Sequence, residues 1–215
     1  MGEDIYMKPG QSHHKLTVEP YTQWESGVAS PASACGPATM AALMEYWSTR
    51  LGKHFISGKS HFYSKAEHIN HMYSQHGGTP WGMNVHGFIR GIKDYIGASS
   101  APKERYQLSL TAFNDMNRYI AEIDAERPVA IKFDKWFTFR WRGRYAYDYH
   151  WVLGIGYETS VEGADPILIV LDNGVKYKDG GFAPSKERRI PFSANKGIIT
   201  MVALNIIEAR ELKGK

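Results

Sequence analysis

The sequence predicts an α+β fold, in which helices from the first part of the chain pack against an antiparallel sheet formed by the second part. Apolar residues recur at helical spacing in the first part, most clearly between residues 34 and 51. After residue 128 they occur in short runs rich in β-branched side chains, separated by turns that contain Asn and Gly. Of the 215 residues, 43% are hydrophobic, which is enough to form one buried core.

The strongest helical pattern covers residues 34–51, where apolar side chains recur every three or four positions. Alanines fill several of the remaining positions, which is typical of a helix packed deep in a fold. The same periodicity predicts helices at about residues 64–75, 84–96 and 111–126. Thr111 would cap the last of these, since a threonine hydroxyl accepts a hydrogen bond from the free N–H groups of a helix start.

Six segments after Pro128 are predicted to be strands, because they are short and rich in apolar and β-branched residues. They cover residues 129–133, 138–142, 149–157, 167–171, 188–191 and 198–207. Neither part of the chain offers a complete core by itself, so we expect one domain over residues 20–210, preceded by a polar N-terminal arm at residues 1–19. Its helical lobe would cover about residues 34–127 and its sheet lobe about residues 128–208.

Composition and charge exclude several classes of protein. The formal net charge is only +4 and is dispersed, so we expect no nucleic-acid partner. No segment reaches the roughly 18 apolar residues of a membrane span, and the first thirty residues contain no apolar signal region. We therefore expect a cytoplasmic protein, or a secreted or cell-envelope protein whose leader has been removed. The nine histidines match no standard zinc spacing, so neither a metal nor a cofactor is expected.

The lone cysteine lies at the start of the strongest helix, in the segment Cys35-Gly36-Pro37. Proline is tolerated in a first helical turn, because the N–H groups of that turn lack intrahelical partners. Gly36 leaves room for a substrate or another backbone beside the sulfur. The positive end of the helix dipole favours a thiolate at this position. We therefore interpret Cys35 as a nucleophile, in preference to an inert buried cysteine.

A nucleophilic thiol requires an imidazole that accepts its proton and later protonates the leaving group. His150 begins the apolar strand predicted at residues 149–157, so rigid β-structure would hold its ring. If that strand pairs with residues 167–171 as a hairpin, Asp172 returns to the level of His150. A carboxylate or amide there would fix the imidazole tautomer, and the sequence leaves open whether Asp172 or the adjacent Asn173 does so.

Further polar and aromatic residues are candidates for the same site. Gln23 precedes Cys35 by twelve residues, and its amide would form an oxyanion hole together with the backbone N–H of Cys35. Trp151 follows His150 and would shield it from water, while Trp81 lies in a segment that could line a substrate groove. The expected substrate-binding residues are Gly36, Trp81, Trp151 and Asn173.

The order of these motifs resembles that of the C39-like branch of papain-like cysteine peptidases. A glutamine is followed by Cys-Gly-Pro-Ala at a helix start, then by His-Trp-Val at the start of a strand, and finally by Asp-Asn-Gly after a strand. The resemblance extends from about residue 21 to residue 174 and implies a papain-like two-lobed fold and a bacterial origin. It implies Cys35 as nucleophile and His150 as base. It also implies Asp172 as the orienting residue and Gln23 as the oxyanion donor.

The expected activity is hydrolysis of peptide or isopeptide bonds in a peptide or protein substrate, through a thioester intermediate and by a monomer. One alternative is transfer of the acyl group to an amine, as in acyltransferases or transglutaminase-like enzymes on related folds. The other alternative is a catalytically silent module that binds a peptide.

Overall fold

The computed structural model describes residues 12–99, 105–135, 144–160 and 164–208. Its helices are α1 (Cys35–Thr49), α2 (Lys65–Gln75), α3 (Val85–Gly97), α4 (Met116–Asp124) and α5 (Phe192–Asn195). Its strands are β1 (Ser12–Lys15), β2 (Tyr106–Phe113), β3 (Val129–Asp134), β4 (Tyr149–Thr159), β5 (Ile167–Leu171), β6 (Val175–Lys176), β7 (Phe182–Ala183), β8 (Glu187–Pro191) and β9 (Ile199–Glu208). The expected α+β class is confirmed.

One antiparallel sheet of seven strands organises the fold. Six of its strands lie in the order β2-β9-β3-β4-β5-β8, and β1 pairs with the C-terminal half of β4. The strands β6 and β7 form a separate two-stranded ribbon. At its first end β4 pairs with β3, and its later residues also pair with β5 and β1.

Alternating side chains of the central strands build two cores on opposite faces of the sheet. Trp151 and Leu153 of β4 join the cluster that contains α1 and α3. Val152, the residue between them, joins a second cluster with Tyr119 and Ile123 of α4. The sheet therefore has α1 on one face and α4 on the other.

Helix α1 is the most deeply buried element, with every residue from Cys35 to Ser48 buried. Three alanines, Ala38, Ala41 and Ala42, allow neighbouring elements to approach it closely, and α2, α3 and β4 all contact it. Ala34 stands at the cap position, so no side chain caps the free N–H groups at the start of α1.

Most of the predicted elements are confirmed within one or two residues, but the helix predicted at residues 111–126 is wrong in its first part. Thr111 belongs to β2, where Leu108 and Leu110 follow the period-two alternation of a strand. The cap of α4 is Asp115, whose carboxylate accepts a hydrogen bond from the Arg118 N–H at 2.7 Å.

Two strands of the sheet come from earlier in the chain than we expected. The segment Ser12–Lys15, which lies within the expected N-terminal arm, is β1, and β2 also precedes residue 128. The strand predicted at residues 138–142 lies outside the described residues. Within the described ranges, no helix is both long enough and apolar enough to cross a membrane.

Candidate active site

Cys35 is the first residue of α1 and follows the short turn Pro31–Ser33. Its side chain is buried, and its carbonyl oxygen accepts hydrogen bonds from Thr39 Oγ1 and Asn173 Nδ2, each at 2.9 Å. One donor is within α1 and the other lies at the end of β5. The helix start is therefore held in place from both lobes of the protein.

Gly36 lies where α1 comes closest to its neighbours. A Cβ atom added at this position would lie 2.9 Å from Met83 Cβ and 3.3 Å from the Trp151 ring. Trp151 Nε1 donates a hydrogen bond to the Met83 carbonyl at 2.7 Å, and Phe88 stacks on the indole with ring centroids 4.1 Å apart. Glycine is therefore favoured here because Met83 and Trp151 fill the space beside the start of α1, where a substrate or another backbone was expected.

The sulfur of Cys35 is surrounded by backbone donors. Burial is the largest influence and raises the pKa of the Cys35 thiol. The Trp151 N–H, the Lys132 ammonium and the N–H groups of Gly36 and Cys35 itself oppose it and lower that pKa. We expected the helix start to favour the thiolate, and its amides do act in that direction, but burial outweighs them.

His150 is the second residue of β4, directly before Trp151, and its imidazole lies against the Tyr147 ring with centroids 4.8 Å apart. Removal from water lowers the pKa of His150 to about 4. The charge of Asp172 opposes this shift, whereas the positive charges of Lys132 and Arg188 add to it. The imidazole is therefore neutral at pH 7.

Asp172 is a fixed, buried carboxylate on the side of His150. Its Oδ1 accepts the N–H groups of Gly174 at 3.0 Å and Lys186 at 3.1 Å, and its Oδ2 pairs with Arg188 Nε. The antiparallel pairing of β4 and β5 predicted from the sequence is confirmed, and it brings this carboxylate within electrostatic reach of His150.

Asn173, the next residue, points in the opposite direction, toward α1. Its Nδ2 donates to Cys35 O at 2.9 Å, to Thr39 Oγ1 at 3.0 Å and to Trp151 O at 2.8 Å. The two adjacent side chains therefore have different surroundings, since Asp172 acts on the imidazole and Asn173 holds the backbone of the cysteine.

Gln23 lies in the segment that packs against the turn before Cys35. Its backbone N–H donates to Asn173 O at 2.9 Å, and its side-chain Nε2 donates to Pro31 O at 2.7 Å. A side-chain amide carries two N–H donors, and Pro31 accepts one of them. Its Oε1 is buried without a hydrogen-bond partner among the residues that the structure describes.

Trp81 is 90% exposed, in contrast to the other tryptophan of the expected site, Trp151, which is fully buried. The next residue, Gly82, has a φ of +86°, and a Cβ there would lie 2.8 Å from the Tyr149 ring. The loop at Trp81 is therefore pressed against the first residue of β4, with the indole left in solvent.

Lys132 of β3 is a residue that the sequence analysis missed. It is 1% exposed, and its Nζ lies 2.8 Å from the centroid of the Tyr149 ring. Burial lowers the pKa of this lysine to about 8, while the charges of Cys35 and Asp134 oppose the shift. A lysine within an otherwise apolar predicted strand was the available signal.

A cavity of 520 Å³ adjoins Lys132. Its wall combines Lys132 and Asp134 with the start of α3 at Asn84 and with apolar side chains such as Ile89 and Ile199. In the described ranges, no group of three or more His, Cys, Asp or Glu side chains is arranged to hold a metal ion.

A helical layer packed on an antiparallel sheet, with a thiol at the start of the central helix, defines a papain-like fold. The chain belongs to the Peptidase_C39 like family, whose sequence model matches residues 15–182. The family that the motif order resembles is thereby confirmed, and with it a protein of the cysteine peptidase type. No curated protein sequence matches the chain.

Several solved structures match the chain at low sequence identity. A structure of UfSP from C. elegans matches with a TM-score of 0.54 and 9% identity, covering 96% of this chain and 36% of that chain. The chain thus spans about a third of the length of that protein. A structure from work on the mite allergens Blo t 1 and Der p 1 matches with a TM-score of 0.43 and 16% identity, covering 94% of this chain and 73% of that one. Digestive procathepsin L2 proteinase from Tenebrio molitor larval midgut matches with a TM-score of 0.41 and 13% identity, covering 93% and 69%.

Proposed function

We propose that this protein hydrolyses peptide or isopeptide bonds of peptide or protein substrates, with Cys35 as the nucleophile. The observation that carries the proposal is the position of the thiol in a member of the Peptidase_C39 like family. The sulfur lies at the uncapped start of α1 and accepts the N–H of Trp151, the residue directly after His150.

The proton transfers follow from the two pKa shifts. Because burial raises the pKa of Cys35 and lowers that of His150, both groups are neutral near pH 7 in the free protein. The imidazole therefore takes the thiol proton as the sulfur attacks the substrate carbonyl carbon. The resulting imidazolium protonates the departing amine and leaves a thioester. Water, activated by the neutral imidazole, then cleaves that thioester.

Asp172 is the orienting residue in this proposal. Its charge raises the pKa of His150, so it stabilises the imidazolium that forms during attack. Three donors, the Gly174 and Lys186 N–H groups and Arg188 Nε, fix the position of this buried carboxylate. We assign Asn173 a different role, which is to hold the backbone of the site, since its amide nitrogen donates to the carbonyl oxygens of Cys35 and Trp151.

Gln23 is the proposed oxyanion donor, together with the backbone N–H of Cys35. The bond from Nε2 to Pro31 fixes the amide next to the turn that leads into the nucleophile, and one N–H remains for a substrate oxygen. Fixed donors of this kind stabilise the tetrahedral intermediate without reorganising during the reaction.

The test compares wild-type protein with Cys35→Ala on a peptide mixture derived from a proteome, with new termini identified by mass spectrometry. We expect cleavage by the wild type and none by the variant, because the thioester cannot form without the sulfur. Circular dichroism controls for folding of the variant. Equal cleavage by both proteins, or no cleavage by either, would contradict the proposal, and the second result would favour a silent binding module.

A further inference from the structure

The side-chain ammonium of Lys132 is buried without a hydrogen bond to any residue that the structure describes. The residue is 1% exposed, and its Nζ has no hydrogen-bond partner among the described residues. A buried ammonium without such bonds costs stability, so its presence in the core calls for a functional explanation.

Strand register places this lysine beside the nucleophile. In the pairing of β3 with β4, Lys132 stands directly opposite Trp151, whose N–H donates to the Cys35 sulfur. Nζ lies 2.8 Å from the Tyr149 ring centroid and 5.8 Å from the Trp151 ring. The two aromatic rings flank the ammonium on the face of the sheet that carries α1.

The titratable groups around Lys132 come from four elements. Asp134 lies on the same strand, Tyr149 and His150 are on β4, Cys35 begins α1, and His86 of α3 lines the adjoining cavity. Asp134 and Cys35 both favour the charged lysine, and Lys132 in turn disfavours a charged His150. The ammonium therefore lowers the pKa of both groups: it favours negative charge on the Cys35 sulfur and disfavours positive charge on the His150 imidazole.

We propose that the Lys132 ammonium is the electrostatic partner of the Cys35 sulfur and stabilises the negative charge that develops on it when the S–H bond breaks. This inference rests on the proposed role of Cys35 as nucleophile. The thiol proton passes to His150, the sulfur forms its bond to the substrate carbonyl carbon, and Lys132 stays protonated throughout. Lys132 is thus a positioning residue that acts by charge, and it exchanges no proton with the substrate.

The test is the pH dependence of Cys35 alkylation by iodoacetamide, followed by mass spectrometry. The chain has a single cysteine, so every label reports on this site. We expect Lys132→Met to move the alkylation profile to higher pH by about one unit, which is roughly a tenfold slower reaction at pH 7. Lys132→Arg keeps the positive charge and should stay within about threefold of the wild type. The matched control is Lys93→Met, on the exposed face of α3.

An alkylation profile of Lys132→Met that coincides with that of the wild type would overturn the inference. Equal slowing in Lys132→Met and Lys132→Arg would also overturn it, since the effect would then follow from packing. Lys132→Gln provides a second neutral side chain, and circular dichroism verifies the fold of each variant. The readout is independent of hydrolysis, so failure of this inference is distinguishable from failure of the Cys35→Ala experiment.

Discussion

At the scale of single residues, the candidate site is characterised by charged and titratable side chains that are largely shielded from water. Asp172 and Arg188 form a pair behind His150, and they act on its imidazole with opposite sign. Burial has a larger effect than either charge and lowers the pKa of the imidazole to about 4, well below its usual value. An imidazole with such a low pKa stays neutral, and can therefore accept a proton, down to acidic pH.

The acid limb of the pH profile should therefore report on His150. We expect kcat/KM for a cleaved peptide to fall as the pH drops through about 4, because protonated imidazole cannot take the thiol proton. Arg188→Gln removes a charge that lowers the pKa of His150, so its acid limb should move to higher pH. Asp172→Asn removes the opposing charge, so its limb should move to lower pH. Shifts in the same direction for both variants would contradict this account.

At the scale of secondary-structure elements, the start of α1 packs closely against its neighbours. Gly36 touches Met83 and Trp151, and Asn173 holds the carbonyl oxygen of Cys35. The packing positions the thiol without a side-chain cap on the helix, which leaves its first amides available to the sulfur. Addition of one methyl group at this contact should therefore displace the Cys35 thiol.

We expect Gly36→Ala to lower the free energy of unfolding by about 1–3 kcal/mol, because the added Cβ would overlap Met83. It should also slow iodoacetamide labelling of Cys35, because α1 must shift to relieve the overlap. Gly97→Ala is the matched control, since a Cβ at this α3 position meets no atom within 4 Å. Urea unfolding should show that this control is unchanged or stabilised by up to about 1 kcal/mol. Equal stability of Gly36→Ala and the wild type would contradict the packing account.

At the scale of the whole molecule, the buried lysine couples stability to pH. Its pKa is lowered from its usual value to about 8, so folding disfavours the charged form. The cost is present in full below about pH 8, where the ammonium is charged in both states, and it disappears as the pH rises above the unfolded pKa. A shift of this size corresponds to a cost on the order of 3 kcal/mol at neutral pH.

Lys132→Met should consequently make the protein more stable, even though we expect it to weaken the nucleophile. The gain in the free energy of unfolding should be largest at pH 6–7 and should shrink near pH 10, where the wild-type lysine is neutral. Urea unfolding at several pH values measures this difference, with Lys93→Met as the exposed control. A gain that does not change with pH would show that apolar packing, rather than relief of a buried charge, is its source.

The sequence predicted those parts of the fold and site that depend on local signals. Cys35 stands in an unusual helix start, and the antiparallel hairpin that brings Asp172 toward His150 follows from two apolar strands joined by a short connection. The strand β2 was missed because the helix signal at α4 was extended backward over its alternating pattern. Lys132 stands out locally as a lysine in an apolar strand, but its position opposite Trp151 depends on the register between β3 and β4, which the sequence does not specify.

The hydrogen bonds of Asn173 join several parts of the candidate site to one residue. One amide side chain joins α1 to β4, and the carbonyl of the same residue receives the N–H of Gln23. Cys35 and Gln23 are thus anchored to the same strand end, so a displacement there moves both together. Exchange of an exposed side chain such as that of Trp81 should instead leave this anchor untouched, and with it the spacing of the proposed nucleophile and oxyanion donor.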